Sequence, residues 1–127
     1  MRNSKLIVGA CAALAIAPIT ALVHTHLVKA EPGVDATITA APKQVRLWFN
    51  EKPELALSGA TLMKADHSPV AVVKLGATDD TLSVAGTVPV ALEPGKYMVM
   101  WRTSSDDGHA VRGMYYFTYD TAGPAKP

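Results

Sequence analysis

The sequence predicts an all-β domain, a Greek-key sandwich or barrel of about seven strands. Three observations predict it: short runs alternate apolar and polar residues with a period of two, Pro/Gly turn signals separate them, and no run after residue 23 has helical spacing. Alternation of this kind turns one side of a strand to a core and the other to water.

The first strand is expected at residues 24–29, closed by the turn signal Glu31-Pro32-Gly33. Residues 44–50 alternate, with Val45, Leu47 and Phe49 on one side and Arg46 and Trp48 on the other, until Glu51-Lys52-Pro53 interrupts them. Residues 59–64 and 70–75 read as two more strands joined through Asp66-His67-Ser68-Pro69, and 81–85 as another after Asp79-Asp80. In Leu92-Glu93-Pro94-Gly95 the proline presets φ and the glycine tolerates φ above zero, which suits a tight entry into the next strand. That strand, 96–103, points Tyr97, Val99 and Trp101 one way and Met98, Met100 and Arg102 the other. The last, 112–119, points Tyr115 and Phe117 inward and Met114 outward, so Met100 and Met114 become cross-strand neighbours if the two strands pair. Tyr115, Tyr116 and Tyr119 read as packing residues, Lys29 and Glu31 as solvated charges, and residues 121–127 as a frayed tail.

The chain has 127 residues, with Lys+Arg 12 against Asp+Glu 11. Residues 1–23 read as an export signal, with Arg2 and Lys5 before an apolar stretch, Leu6 to Ala17, too short to span a bilayer as a helix. Cutting before His24 leaves Val23 beside the bond, whereas cutting after Ala21 starts the chain at Leu22. Residues 24–120 then form one domain outside the cytosol, close to neutral once Arg2 and Lys5 are gone. A near-neutral domain lacks the basic face that phosphate binding needs, so nucleic acid is not expected as a partner. The single cysteine, Cys11, lies in the leader, so neither a disulfide nor a thiolate ligand is available to the domain.

Chemistry concentrates in Ser104-Ser105-Asp106-Asp107-Gly108-His109, between the last two strands. In an extended segment Asp107 and His109, two apart, present a carboxylate and an imidazole to one point. Asp106 lacks that register and reads as a surface carboxylate. Arg102 and Arg112 flank the loop, either as strand-edge charges or as partners of the aspartates.

The motifs His24-x-His26-Leu27-Val28, Val45-x-Leu47-x-Phe49-Asn50-Glu51, Ser58-Gly59-Ala60-x-Leu62, Gly95-Lys96-Tyr97-x-Val99-x-Trp101-Arg102 and Asp106-Asp107-Gly108-His109-x-x-x-Gly113, in this order and spacing, resemble the CopC-type periplasmic copper-binding proteins. The resemblance implies a cupredoxin-like or immunoglobulin-like β-sandwich binding one copper(II) ion through a mature N-terminal His24, Asp107 and His109. It implies a periplasmic monomer that sequesters or carries copper, handing it to an inner-membrane importer or another copper protein, with no substrate and no catalytic step. The donors suit that ion: copper(II) favours tetragonal nitrogen and oxygen sites, and the free amine and Nδ1 of one terminal histidine close a six-membered chelate ring.

The other donors read more simply. His26 would be the third residue of the mature chain and can compete for copper(II) through deprotonated amides, but those amides belong to the first strand, so it is expected beside the site or in solvent. His67 is expected as a solvated turn residue, and Met63 alone in 62–69 does not make a soft-metal site. Met98, Met100 and Met114 read as ordinary strand-face methionines, with a transient copper(I) contact as the alternative. Two other functions compete: a histidine-brace-like oxidative copper enzyme, and a metal-free interaction module.

Overall fold

The computed structural model describes residues 25–124, in which nine strands form two sheets with a shared core. The strands are β1 (Leu27–Glu31), β2 (Thr37–Ile38), β3 (Gln44–Phe49), β4 (Gly59–Lys64), β5 (Pro69–Val73), β6 (Gly76–Ala77), β7 (Ser83–Thr87), β8 (Gly95–Ser104) and β9 (Ala110–Tyr119), with one 3-10 turn at Leu55–Leu57. One sheet runs β1-β3-β7-β6 and the other β2-β9-β8-β4-β5. The chain crosses between the sheets repeatedly, and every pairing is antiparallel except β2 with β9. The expected all-β sandwich is therefore present.

Alternation decides which side is buried. Val45, Leu47 and Phe49 of β3 face Tyr97, Val99 and Trp101 of β8 and Tyr115 and Phe117 of β9 in one apolar cluster. Two ring contacts mark its ends: Phe49 meets Trp101 edge-on with centroids 5.2 Å apart, and Tyr97 stacks on Phe117 at 5.5 Å. Burying each such side chain contributes about 1.5–3 kcal/mol, so packing can hold the domain without a disulfide. Gly113 is required where it is, because a Cβ there would overlap the Trp101 ring opposite.

Several boundaries differ from expectation for identifiable reasons. β1 begins at Leu27 rather than at residue 24, because the side chain of Asn50 takes the His26 N–H at 2.7 Å, where a ladder carbonyl would otherwise accept. β2 and β6 are two-residue strands on sheet edges, too short to show any periodicity. β8 and β9 zip fully to Ser104↔Ala110, leaving only 105–109 as loop. Met98 was expected on the outward side; it does lie on the outer face, but it is buried. It sits mid-strand between Met63 on β4 and Tyr116 on β9, so its neighbours across both ladders cover it.

Candidate metal centre

The expected Asp107 and His109 are brought together, though by a turn rather than an extended segment. Gly108 takes a positive φ of 80°, a conformation that costs glycine little, and its N–H donates to the Ser105 carbonyl at 2.9 Å. The Asp107 carboxylate then accepts from the His109 backbone N–H at 3.0 Å and from the Ser105 hydroxyl. Its second oxygen lies 2.8 Å from Nδ1 of His109. Both side chains are largely solvent-exposed.

Electrostatics follow from that contact. Hydrogen bonds from Ser105 and His109 hold the Asp107 carboxyl far below the usual carboxylate range, and Asp107 in turn raises the His109 imidazole above its ordinary value. Each group thus favours the charged form of the other across that contact.

The start of the described chain lies at the same pole. The Thr25 hydroxyl donates to the Glu51 carboxylate, and Asn50 N–H donates to the His26 carbonyl at 3.2 Å. Three residues after Glu51, the Glu54 N–H donates to the Ser104 carbonyl at 3.0 Å, which ties this connection to the root of the loop. Glu51 and Asn50 are thus positioning residues for the chain's start; the Phe49-Asn50-Glu51 motif carried them, but alternation alone gave no sign of the role. His24 itself lies outside the described residues, as do the signal segment and Cys11.

The remaining candidates separate cleanly. Asp106 and His26 are exposed, and His67 is an exposed turn residue with φ 70°, as expected. Arg102 and Arg112 do not pair with the aspartates; they stand opposite each other across the β8–β9 ladder. Lys29 lies 3.8 Å from Glu31 and over the Trp48 ring. Met100 and Met114 are direct cross-strand partners and exposed. Among the described residues no three His, Cys, Asp or Glu side chains converge. A hollow of about 810 Å³ at the other pole, around Pro32, Ile38 and Pro42, has no imidazole in its lining.

The described residues thus form a small two-sheet β-sandwich with an Asp/His loop at the pole where they start. The chain belongs to the CopC domain family, whose model matches residues 27–120. It is 33% identical to the copper resistance protein C of Xanthomonas campestris pv. juglandis, over 84% of this chain and 87% of that one. It is 35% identical to protein YobA of Escherichia coli K12, over 75% and 77%. The crystal structure of CopC from Methylosinus trichosporium OB3b superposes with a TM-score of 0.70 at 33% identity, covering 76% of this chain and 94% of that chain. PcoC, a methionine-rich copper resistance protein from Escherichia coli, gives 0.67 at 34% identity over 76% and 99%. The chain also matches the copper transport protein CutJ of Bacillus subtilis at 29% identity, spanning 86% of this chain but only 20% of that protein. The chain thus groups with the CopC family, to which it is matched over nearly all of its described residues.

Proposed function

We propose that this chain carries one copper(II) ion in the periplasm, held by the amine and imidazole of His24 after removal of residues 1–23, with Asp107 and His109. The observation that supports it most is the 2.8 Å between Nδ1 of His109 and the Asp107 carboxylate. Two donors bound cis at about 2.0 Å and at right angles lie about 2.8 Å apart, the spacing of a tetragonal site. Copper(II) can therefore take the place of the proton once the imidazole turns its lone pair from the carboxylate toward the ion, and the carboxylate favours a divalent ion. Placement of Thr25 at the same pole supports His24 as the third residue.

The chain acts as a monomer and catalyses nothing; it delivers its ion to an inner-membrane importer or another periplasmic copper protein. Its likeness to one fifth of a copper transport protein supports the delivery role. Residues 62–69, with Met63 at the end of β4 as their one thioether, provide no copper(I) site. Competitive copper(II) titration with EPR on the mature chain tests the reading. His24→Ala, Asp107→Asn and His109→Ala should each weaken binding and alter the spectrum, while His67→Ala leaves both unchanged. Peroxide formation from ascorbate by the loaded chain would instead favour an oxidative enzyme.

A further inference from the structure

The outer face of the β9-β8-β4-β5 layer has a composition unlike the rest of the surface. Strand register sets Val72, Thr61, Met100 and Met114 in one row across four strands. Val72, Met100 and Met114 are 73%, 43% and 58% exposed, an apolar stripe on open surface. The next row holds Met63 opposite Met98, so every methionine of the described residues lies on this face. The row on the other side, toward the metal loop, holds Gly59, Arg102 and Arg112. A groove of about 430 Å³ runs between the stripe and the arginines.

The charges are one-sided. Arg102 and Arg112 are direct cross-strand partners, and neither guanidinium makes an ion pair or hydrogen bond with a described residue. Like charges in that relation destabilise a sheet. Outward positions of β8 from Lys96 to Arg102, and of β9 from Arg112 to Thr118, hold three cations and no carboxylate. Gly59 makes room for the Arg102 side chain, since a Cβ there would lie 3.0 Å from its Nε.

Three occupants compete. A second copy would bring arginine pair against arginine pair. A soft metal ion suits two thioethers, but the guanidiniums stand two residues along each strand, about 7 Å, and repel it. A carboxylate beside an apolar side chain answers both halves of the face, because arginine binds carboxylates with two parallel bonds and methionine adapts to varied apolar shapes. Met and Arg are also the residue types enriched in the cores of protein interfaces, where Lys, Asp and Glu are depleted.

We propose that this face docks a partner protein through an acidic segment, its carboxylates seated on Arg102 and Arg112 and its apolar side chains on Val72, Met100 and Met114. Identifying the occupant as a copper-exchange partner rests on the carrier reading above. Arg102 and Arg112 are two ladder rungs from the root of the metal loop, so the docked segment lies beside the ion.

The test is an amide-shift NMR titration of the isotope-labelled mature chain with the capped peptide Asp-Leu-Val-Leu-Asp, and with its counterpart Lys-Leu-Val-Leu-Lys. The acidic peptide should shift Thr61, Val72, Met100, Arg102, Arg112 and Met114, and an Arg102→Glu, Arg112→Glu double variant should raise the midpoint about tenfold or more. An Arg102→Gln, Arg112→Gln pair serves if the charge reversal disturbs folding. Equal shifts with the lysine peptide, no shifts on this face at millimolar peptide, or an unchanged double variant overturns the proposal. Selective broadening of the Met100 and Met114 methyls by one equivalent of copper(I) overturns it in favour of a metal site. Copper(II) uptake by the same sample reads the carrier role separately: uptake without a peptide response sinks docking alone, and a peptide response without uptake sinks the carrier reading alone.

Discussion

Replacing Asp107 by Asn removes a copper ligand and releases His109 from its partner, and the two effects separate with pH. In the wild-type chain Asp107 raises the His109 pKa above the reference of about 6.5. A protonated imidazole must lose its proton to bind copper, so the His109 contribution to apparent affinity falls about tenfold per pH unit below that raised value, on top of the proton competition at the His24 amine and imidazole that both proteins share. In Asp107→Asn the imidazole returns toward about 6.5 and the loss begins later as pH drops. Asp107 itself stays ionised throughout, because its own pKa is depressed. Above the raised His109 pKa the wild type should bind at least about 10–100-fold tighter, the range that even outer-sphere partners command. Down to about pH 6.5 that ratio should shrink, and below it both proteins fall in parallel. Competition with a chromophoric chelator from pH 5 to 8 measures it. A ratio constant across the whole range, or equal binding at pH 8, would refute this account of the pair.

The same contact affects the metal-free fold. Its His109 share is present below about pH 6.5 and is lost as pH rises through the raised value, while its Asp107 share is present above about pH 4 and is lost as pH falls through the depressed one. Both parts coexist only between those limits, and urea midpoints across pH should show a shallow maximum there that Asp107→Asn removes. In the core, the Tyr115 hydroxyl is buried without a hydrogen-bond partner among the described residues, and burial pushes its pKa up. Such a group costs about 1–3 kcal/mol, so Tyr115→Phe should raise stability by about 1 kcal/mol or more; a fall in midpoint would reveal a bond the hydroxyl makes. Gly113→Ala should cost about 1–3 kcal/mol, because the new methyl overlaps the Trp101 ring, with a change in near-UV dichroism as that ring moves. Unchanged stability would mean that the ring has room to shift.

Alternation made most of the sandwich legible. Val45, Leu47, Phe49, Tyr97, Val99, Trp101, Tyr115 and Phe117 all face the core as their spacing requires, and the pairing of Met100 with Met114 follows from the same rule. Period-two patterns speak only of which side a residue takes, not how crowded that side is, so Met98 could be assigned outward but not recognised as buried. Two-residue strands such as β2 and β6 carry no pattern, because pairing at a sheet edge creates them. The Asp107/His109 proximity was legible, but its cause was not: Gly108 and the Ser105 hydroxyl fold the loop into a turn that spacing alone does not encode. The grip of Asn50 and Glu51 on residues 25–26 is a tertiary contact between distant segments, and the like-charged pair Arg102 and Arg112 became apparent only once register set them opposite each other.

Copper(II) binding by chain that starts at His24, compared with the same chain acetylated at that amine, tests the central claim most directly. Acetylation removes the amine donor but keeps the imidazole, so the six-membered chelate cannot close. The account predicts one equivalent of tightly held copper(II) with a tetragonal EPR spectrum in the first, and a weaker site with a changed spectrum in the second. Identical affinity and spectra in the two proteins would contradict it.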